Sequence, residues 1–302
     1  MAKSFGRAFG QDLMRGEHVV GGGQPMNRPA RKPNSMPSGG GGGGGGWKEM
    51  NESMAASRAK LQGIEAGEAS GTSIFDPVLT ELSYRWFCPP GGTILDPFAG
   101  GSVRGVVASK LGYPYIGIEL RAEQVAANMA QGISLCGVPV PRWVQGDSLE
   151  VLPRMASGDE TVAADFIFSC PPYADLEVYS DDPRDISTLP HAKFLETYSE
   201  IIKSACALLR PNRFACFVIG DARGKDGFYY GLPWRTVEAF TNAGLRLYNE
   251  SVLVTAVGSL PIRMTKQFES GRKLGKTHQN LFVFAKGDWK KAAAACRGEY
   301  GN

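Results

Sequence analysis

Most of the information about the fold lies in residues 93–105, which have the sequence TILDPFAGGSVRG. A short apolar run ends at Asp96, a glycine turn follows, and the next residues can begin a helix. This order predicts a strand, a loop that a ligand can approach closely, and a helix. Glu119 lies 23 residues after Asp96, at the end of a second apolar run, and an acid about 20 residues beyond such a loop commonly binds ribose hydroxyls. We therefore expect the loop to bind a nucleoside cofactor.

The charge of Asp96 indicates which kind of cofactor the loop accepts. A dinucleotide would place its pyrophosphate against the loop, where a carboxylate would repel it, and the glycines do not follow the G-x-G-x-x-G pattern. An acid at this position suits a cationic ligand such as S-adenosylmethionine, which carries an ammonium and a sulfonium group. The alternative is an ordinary tight turn between a strand and a helix.

The composition is that of a protein with one large core, because 43% of the 302 residues are hydrophobic. The six cysteines are scattered and include no C-x-x-C pair, so we expect reduced thiols instead of a disulfide framework or a zinc site. Neither a secretory leader nor an apolar run of membrane-spanning length is present, which predicts a soluble, cytoplasmic protein. A net charge of +3 is too small to indicate a nucleic-acid partner by itself.

The chain divides into three predicted parts. Residues 1–46 are rich in Gly, Pro, Arg and Asn and end in an unbroken glycine tract, so they are predicted to form a disordered basic arm and linker. Residues 47–288 are predicted to form the folded domain, beginning with a weakly amphipathic helix over 47–68, and residues 289–302 a C-terminal tail.

Strands and helices alternate along the predicted domain. The predicted strands are residues 93–96, 115–118, 142–145, 165–169, 213–219, 245–255 and 279–285, and the predicted helices are 78–87, 102–111, 122–136, 191–209 and 232–243. Such alternation predicts an α/β fold with a doubly wound, mostly parallel sheet covered on both faces. The short span between the last two strands predicts an antiparallel closing hairpin.

A second informative segment, DFIFSCPPY, ends a predicted strand at residues 165–173. Prolines donate no backbone hydrogen bond and hold their dihedral angles stiffly, so Pro171 and Pro172 fix the directions of nearby carbonyl groups. Such acceptors suit the planar amine of a nucleobase, because hydrogen bonds from its N–H groups favour a pyramidal nitrogen whose lone pair can attack a methyl sulfonium. Tyr173 would stack on the base once the base has left the duplex. The alternative is a Pro-Pro loop that only ends the strand.

With these two segments, the chain resembles the S-adenosylmethionine-dependent DNA amino-methyltransferases, which modify adenine N6 or cytosine N4. Residues 96–102 resemble the cofactor loop of this family, and residues 170–173 resemble its catalytic tetrapeptide. The resemblance covers roughly residues 73–287 and extends to a phage-type subgroup through residues 220–223 and 276–284. It implies a Rossmann-like methyltransferase fold, S-adenosylmethionine as cofactor, double-stranded DNA as partner and, for a phage protein, the cytoplasm of a bacterial host. The cofactor segment precedes the catalytic one here, whereas many members have the reverse order.

The resemblance also assigns roles to individual positions. It implies that the residues before the first helix hold the methionine end of the cofactor and that Asp96 binds its amino group. Glu119 should bind the ribose hydroxyls, and Asp147 should contact the adenine. The implied cofactor set is Phe75, Asp76, Pro77, Asp96, Phe98, Gly100, Gly101, Ser102, Glu119, Leu120, Asp147 and Ser148. The implied catalytic set is Ser169, Cys170, Pro171, Pro172 and Tyr173.

Cys170 departs from the family pattern. The first residue of the tetrapeptide is usually Asp, Asn or Ser, whose oxygen accepts a hydrogen bond from the target amine, whereas cysteine is a poor acceptor. Either a backbone carbonyl and Ser169 take this role, or an acid such as Asp175 or Glu177 assists. The choice between adenine and cytosine stays open.

The same cysteine allows two other interpretations. Cytosine C5 methylation needs a thiolate that adds to the ring, but enzymes of that family carry the cysteine after a proline and no aromatic residue closes the segment. Here Cys170 precedes both prolines and Tyr173 follows them. A purely structural cysteine is the second interpretation.

The predicted DNA contact is the segment between the last two strands, interpreted as a long loop. Residues 263–276 hold five basic side chains against Glu269, five minus one, or a local charge of +4. Such density suits phosphate contact, and the alternative is an ordinary solvated loop. The five residues are Arg263, Lys266, Arg272, Lys273 and Lys276. Asp221 and Arg223 are expected either near the entering base or in a structural ion pair.

These observations predict a DNA methyltransferase that flips a base from the duplex, holds its amine at residues 170–173 and transfers a methyl group in line. Within the same fold, the alternatives are methylation of RNA, of a protein or of a small molecule. An alternative of another class is a catalytically silent DNA-binding module, in which Cys170 marks a lost acceptor.

Overall fold

The computed structural model describes residues 75–158, 162–174, 178–254 and 260–297, except for the side chain of Arg263. The predicted arm at residues 1–46, the predicted helix at 47–68 and residues 298–302 lie outside this description. So do Asp175 and Glu177, the two acids considered as helpers of Cys170. The three-part division of the chain stays a prediction.

A seven-stranded sheet forms the centre of the described structure, in the order β3-β2-β1-β4-β5-β7-β6. The strands are β1 (Ile94–Asp96), β2 (Tyr115–Glu119), β3 (Arg142–Gln145), β4 (Ala164–Ser169), β5 (Leu209–Ile219), β6 (Leu245–Val254) and β7 (His278–Lys286). The first five run parallel, and β7 pairs antiparallel with both β5 and β6. The predicted α/β fold, with a doubly wound, mostly parallel sheet and antiparallel closing strands, is confirmed.

Helices cover both faces of the sheet. They are α1 (Pro77–Phe87), α2 (Val103–Lys110), α3 (Ala122–Leu135), α4 (Ser148–Ser157), α5 (His191–Leu208), α6 (Leu232–Asn242), α7 (Leu260–Gly271) and α8 (Trp289–Ala295). Leu152 of α4 and Phe240 of α6 belong to a core on one face with Ile167, whereas Tyr84 of α1 belongs to the core on the other face with Phe166. Neighbouring β4 residues thus enter opposite cores, as in a strand buried on both sides. Within the described residues, no helix has the length and apolarity that a membrane crossing needs.

Three of the described helices, α4, α7 and α8, lie where we predicted none from the sequence. The first, α4, follows β3 and has Asp147 as its N-cap, whose carboxylate accepts from the Leu149 N–H at 2.9 Å. Pro153 lies inside this helix, although proline disfavours helix interiors. Helix α8 lies in the predicted C-terminal tail, where Asp288 caps it and Ala292 is buried.

The basic segment between β6 and β7 contains a helix, α7, so the prediction of one long loop there was wrong. Leu260, Met264 and Phe268 recur every four residues and therefore line one side of a helix. The helix ends at Gly271, and Arg272 follows in a left-handed conformation with φ +52°. The glycines that indicated a loop lie at this end and beyond it.

The strand order places the two informative segments side by side. The chain continues from β1 to β2 and β3 on one side and returns to β4 and β5 on the other, so the order reverses between β1 and β4, where Leu95 pairs with Ile167. Ligands bind at the carboxyl ends of strands at such a reversal. The glycine loop (residues 97–102) follows β1 and the CPPY segment (residues 170–173) follows β4, so both border this crevice.

Candidate active site

Asp96, the last residue of β1, is fully buried beneath the crevice. Its Oδ2 accepts hydrogen bonds from Arg104 Nε at 2.6 Å and the Tyr115 hydroxyl at 2.8 Å, and its Oδ1 accepts from the Ser169 hydroxyl at 2.5 Å and the Phe98 N–H at 3.1 Å. This geometry corrects the role expected for Asp96, which has no exposed surface and supports the loop from below instead of meeting a ligand. Ser169 is corrected in the same way, because its buried hydroxyl donates to Asp96 and does not face a target amine.

Arg104 joins the glycine loop to this buried acid, and we did not identify it from the sequence. Its Nη2 donates to the carbonyl oxygens of Phe98 at 2.6 Å and Ala99 at 2.9 Å. Burial by itself lowers the pKa of Arg104. The charge of Asp96 and neighbouring groups raise this pKa by more than burial lowers it, so the guanidinium stays charged. The spacing of residues in the predicted helix could have identified it. Arg104 lies four residues before Ala108 and so on the same helix face, and Ala108 is buried in the core.

The glycine loop is held on one side by α3 and is open on the other. Gly100 has φ +51°, a left-handed conformation that favours glycine, and its carbonyl oxygen accepts from Asn128 Nδ2 at 2.7 Å. Ser102 donates its hydroxyl to Gln131 Oε1. A side-chain carbon added at Gly100 or Gly101 would meet no atom within 4 Å, so the space above both glycines can admit a ligand.

Carboxylates lie beside the loop, at the ends of β2 and β3. Glu119 accepts from the backbone N–H groups of Gly100 and Arg121, both at 3.0 Å, and Asp147 accepts from Leu149. Burial raises the pKa of Glu119 and of Asp147. The backbone hydrogen bonds and, for Glu119, the charge of Arg121, whose Nε lies 3.6 Å from Glu119 Oε1, offset only part of this effect. Because both acids are partly desolvated, hydroxyl and amine donors on a ligand would stabilise them, whereas a phosphate would be repelled.

Further contacts tie the three strand ends together. Ser148 donates its hydroxyl to the carbonyl oxygen of Pro97 at 2.6 Å, and the Gly146 N–H donates to the carbonyl oxygen of Glu119 at 2.9 Å. Leu120 follows Glu119 and is half-buried. The ends of β1, β2 and β3 therefore bring together, around one crevice, the predicted cofactor residues Phe98, Gly100, Gly101, Ser102, Glu119, Leu120, Asp147 and Ser148.

The segment before α1 reaches the same part of the molecule. Phe75 packs edge-on against Phe168 of β4, with ring centres 5.8 Å apart, and lies 4.8 Å from the guanidinium carbon of Arg104. Asp76 caps α1, accepting from a first-turn N–H at 2.8 Å, and Pro77 is the first helical residue. The Asp76 carboxylate thus starts a helix, and its role in holding the methionine end of a cofactor stays a prediction.

The CPPY segment forms the other side of the crevice. The Tyr173 hydroxyl lies 3.5 Å from the sulfur of Cys170, and the ring packs on Gly220, where an added side-chain carbon would lie 3.0 Å from a ring carbon. Burial, followed by the neighbouring Cys170, raises the pKa of Tyr173, so the phenol stays neutral. Pro171 is buried and Pro172 half-buried, which leaves a stiff turn with an aromatic ring at its end.

The residues after β5 border this end of the sheet. Asp221 accepts from the backbone N–H groups of Gly231 at 3.0 Å and Leu232 at 3.2 Å, and so caps the start of α6. The guanidinium carbon of Arg223 lies 3.7 Å from the ring centre of Tyr229. Asp221 and Arg223 therefore contact other groups and do not form the ion pair that we considered.

The five predicted DNA-binding residues lie on α7 and on the segment after it. Lys266 is exposed on the helix, and the side chain of Arg263 lies outside the description. Beyond the helix, Lys273 reaches Gly227, where an added side-chain carbon would lie 2.9 Å from the lysine nitrogen. The set is completed by Arg272, which is exposed, and Lys276, which is half-buried.

Comparison with known proteins adds a similarity of architecture. No protein-family model and no curated protein matches the sequence. Among solved structures, a methyltransferase from Pyrococcus furiosus superposes with a TM-score of 0.47 at 15% identity, covering 80% of this chain and 98% of that chain. A TehB-like SAM-dependent methyltransferase from Corynebacterium glutamicum gives 0.41 at 17% identity, covering 79% and 99%, and the cyclase SpnF gives 0.47 at 13% identity, covering 79% and 95%. Similarity at this level does not identify a reaction.

Proposed function

We propose that this protein is an S-adenosylmethionine-dependent methyltransferase acting on the exocyclic amine, adenine N6 or cytosine N4, of a base flipped out of double-stranded DNA. The observation that carries the proposal is the buried hydrogen bond of 2.5 Å between Ser169 and Asp96. It joins the strand that leads into the glycine loop to the strand that leads into the CPPY segment. A cofactor at the first and a base at the second would therefore share one crevice.

The residues around the glycine loop fit S-adenosylmethionine. Glu119 and Asp147 offer partly desolvated carboxylates, which match ribose hydroxyls and an adenine amine. The open space above Gly100 and Gly101 accommodates a nucleoside. The buried ion pair beneath the loop is neutral as a unit. The preference for a cationic ligand over a pyrophosphate therefore comes from Glu119, Glu123 and Asp147, because these three acids outnumber Arg121, which lies 3.6 Å from both glutamates.

The CPPY segment fits a base amine. Once bound, S-adenosylmethionine supplies an electrophilic methyl group. The backbone at Cys170 and Pro171 offers carbonyl oxygens to the amine N–H groups, in directions that the prolines keep fixed. Tyr173 stacks on the base, and its raised pKa keeps the phenol uncharged. The chain thus orients the amine without a strong base, and the surplus proton leaves to solvent.

Double-stranded DNA is the proposed partner because of where the basic residues lie. Lys273 reaches Gly227, in the connection that begins at Gly220 beside the Tyr173 ring. Lys266 is exposed on α7. A polyanion bound by these side chains would extend towards the CPPY segment, and phosphate contacts of this kind position a duplex for reaction on one of its bases.

Transfer of a labelled methyl group tests the proposal. We expect label from S-adenosylmethionine in double-stranded DNA, and none in total RNA or protein offered under the same conditions. Glu119→Gln and Asp147→Asn should raise the KM for the cofactor. Glu196→Gln, the same change at an exposed acid on α5, should leave it unaltered.

Three other outcomes would contradict the proposal at different levels. Label confined to RNA or protein would overturn the choice of DNA. Cofactor binding by calorimetry, with no transfer to any substrate, would indicate the silent binding module. Absence of cofactor binding would overturn the proposal as a whole.

A further inference from the structure

A hairpin of residues 223–229 borders the CPPY segment and has no part in the chemistry proposed above. It begins shortly after Gly220, on which the Tyr173 ring packs. At its base, the Tyr230 N–H donates to the carbonyl oxygen of Ala222 at 2.9 Å, and the Tyr230 ring stacks on His191 with 4.3 Å between ring centres. The hairpin is therefore anchored beside the ring that would hold the target base.

Hydrogen bonds order the hairpin internally. The Gly227 N–H donates to the carbonyl oxygen of Gly224, and the Gly224 N–H donates to that of Phe228, both at 2.9 Å. The Phe228 N–H donates to Asp226 Oδ1 at 3.0 Å, and Arg223 Nη1 donates to the carbonyl oxygen of Gly227 at 3.0 Å. The backbone of the turn thus sets the position of Phe228.

Phe228 is 74% exposed, although hydrogen bonds fix the backbone that carries it. Lys225 is exposed in the same turn, the Lys273 nitrogen lies beside Gly227, and Arg223 belongs to the hairpin. Three positive side chains therefore belong to the hairpin or reach it, with Asp226 as the one acid of the hairpin. An exposed apolar side chain indicates a partner that buries it, and the surrounding charge indicates a polyanion.

We propose that Phe228 enters the DNA duplex as the target base leaves and fills the gap in the base stack, while Lys225 and Lys273 contact flanking phosphates. This inference rests on the proposed function, because it needs DNA at the CPPY segment. Flipping a base costs unpairing and unstacking energy, and an apolar side chain inserted at the base step recovers part of the lost stacking. A base that is already unpaired needs no such replacement.

The dependence on pairing provides the first test. Phe228→Ala should lower the rate of methyl transfer to duplex DNA by about tenfold, and the rate on the same DNA after heat denaturation by less than about twofold. The control is Trp86→Ala, which removes another exposed aromatic side chain (57% exposed) from the end of α1 that leads into the amino end of β1. This control should change neither rate.

A direct readout of insertion does not depend on turnover. Phe228→Trp keeps a large ring, so it should retain duplex activity, and its fluorescence should be quenched by duplex DNA beyond the quenching of the wild-type protein, because indoles stack on bases. Equal loss on both forms of DNA in Phe228→Ala, no loss on either, or no added quenching in Phe228→Trp would overturn the insertion while leaving the proposed function intact. A wild-type protein that methylates neither form of DNA would overturn the proposed function and the insertion with it.

Discussion

The contact between Gly220 and Tyr173 can be changed by a single methyl group. A Cβ at position 220 would lie 3.0 Å from Cε2 of the tyrosine ring and 3.4 Å from Cδ2 and Cζ. Carbon atoms reach their optimal separation at about 3.5–4.0 Å. Gly220→Ala should therefore displace the Tyr173 ring by roughly half an ångström. Gly220 is not among the glycines with positive φ, so alanine fits the backbone itself.

This displacement should affect catalysis more than stability. A misplacement of about 1 Å can cost about 100-fold in rate, so a shift of half that size should lower kcat about tenfold. The KM for the cofactor should stay unchanged, because Gly220 follows β5 and the glycine loop follows β1. Replacing glycine by alanine at a compatible position stabilises a fold by about 0.4–1 kcal/mol. The tight contact opposes that gain, so the melting temperature should change little.

The assay is methyl transfer to duplex DNA, with kcat measured under saturating cofactor and the cofactor KM measured by varying the cofactor concentration. Gly137→Ala is the matched control, because an added carbon at Gly137 meets no atom within 4 Å, and it should leave kcat unchanged. Full kcat in Gly220→Ala would refute the role given to the position of the Tyr173 ring. A rise in the cofactor KM by the same factor as the loss in kcat would contradict the claim that the Tyr173 ring does not affect cofactor binding at the glycine loop.

Three further predictions concern the buried pair, the acid at the end of β2 and the cysteine. Arg104→Met leaves Asp96 buried without its partner and should lower the free energy of unfolding in urea by about 3–5 kcal/mol. Arg85→Met, at an exposed ion pair, should lower it by less than about 1 kcal/mol, and equal losses would contradict the weight given to the buried pair. Burial raises the pKa of Glu119 above its ordinary 4.5, so the neutral carboxyl stabilises the fold below that value and the contribution is lost as the pH rises through the raised pKa. The urea midpoint of the wild type should therefore fall relative to that of Glu119→Gln as the pH rises from below 4.5 through the raised pKa of Glu119, and parallel curves would contradict this assignment. Cys170→Ser replaces a poor acceptor by a better one and should retain or raise amine methylation, whereas complete loss of activity would indicate a thiol nucleophile.

Most elements of the sheet could be predicted because β1, β2 and β4 are short, largely apolar runs and the helices between them have a different periodicity. The segment before β7 was mispredicted for a local reason. Its glycines and basic residues indicated a loop, while Leu260, Met264 and Phe268 have helical spacing. A helix that is mostly exposed has only such a weak apolar pattern in its sequence. Here the charged residues between the three apolar residues obscured that pattern.

The geometry of the site was only partly predictable, because its central contacts join distant parts of the chain. The two segments that border the crevice could be identified from turn residues and strand ends. The partners of Asp96 could not, because Arg104, Tyr115 and Ser169 come from α2, β2 and β4. In a sequence, an acid at a strand end can indicate either a residue that binds a ligand or a residue that binds buried partners. Only the folded arrangement of α2, β2 and β4 around Asp96 shows that it binds buried partners.

Amine methylation of DNA is measured by digesting DNA that has been incubated with the protein and labelled S-adenosylmethionine, and by analysing the nucleosides by mass spectrometry. We predict that the label appears in N6-methyladenine or N4-methylcytosine, which also identifies the target base, and that Tyr173→Ala reduces it. Label in 5-methylcytosine would make Cys170 a nucleophile and contradict the proposed mechanism. DNA without any labelled nucleoside, from a protein that binds the cofactor, would contradict the proposed function.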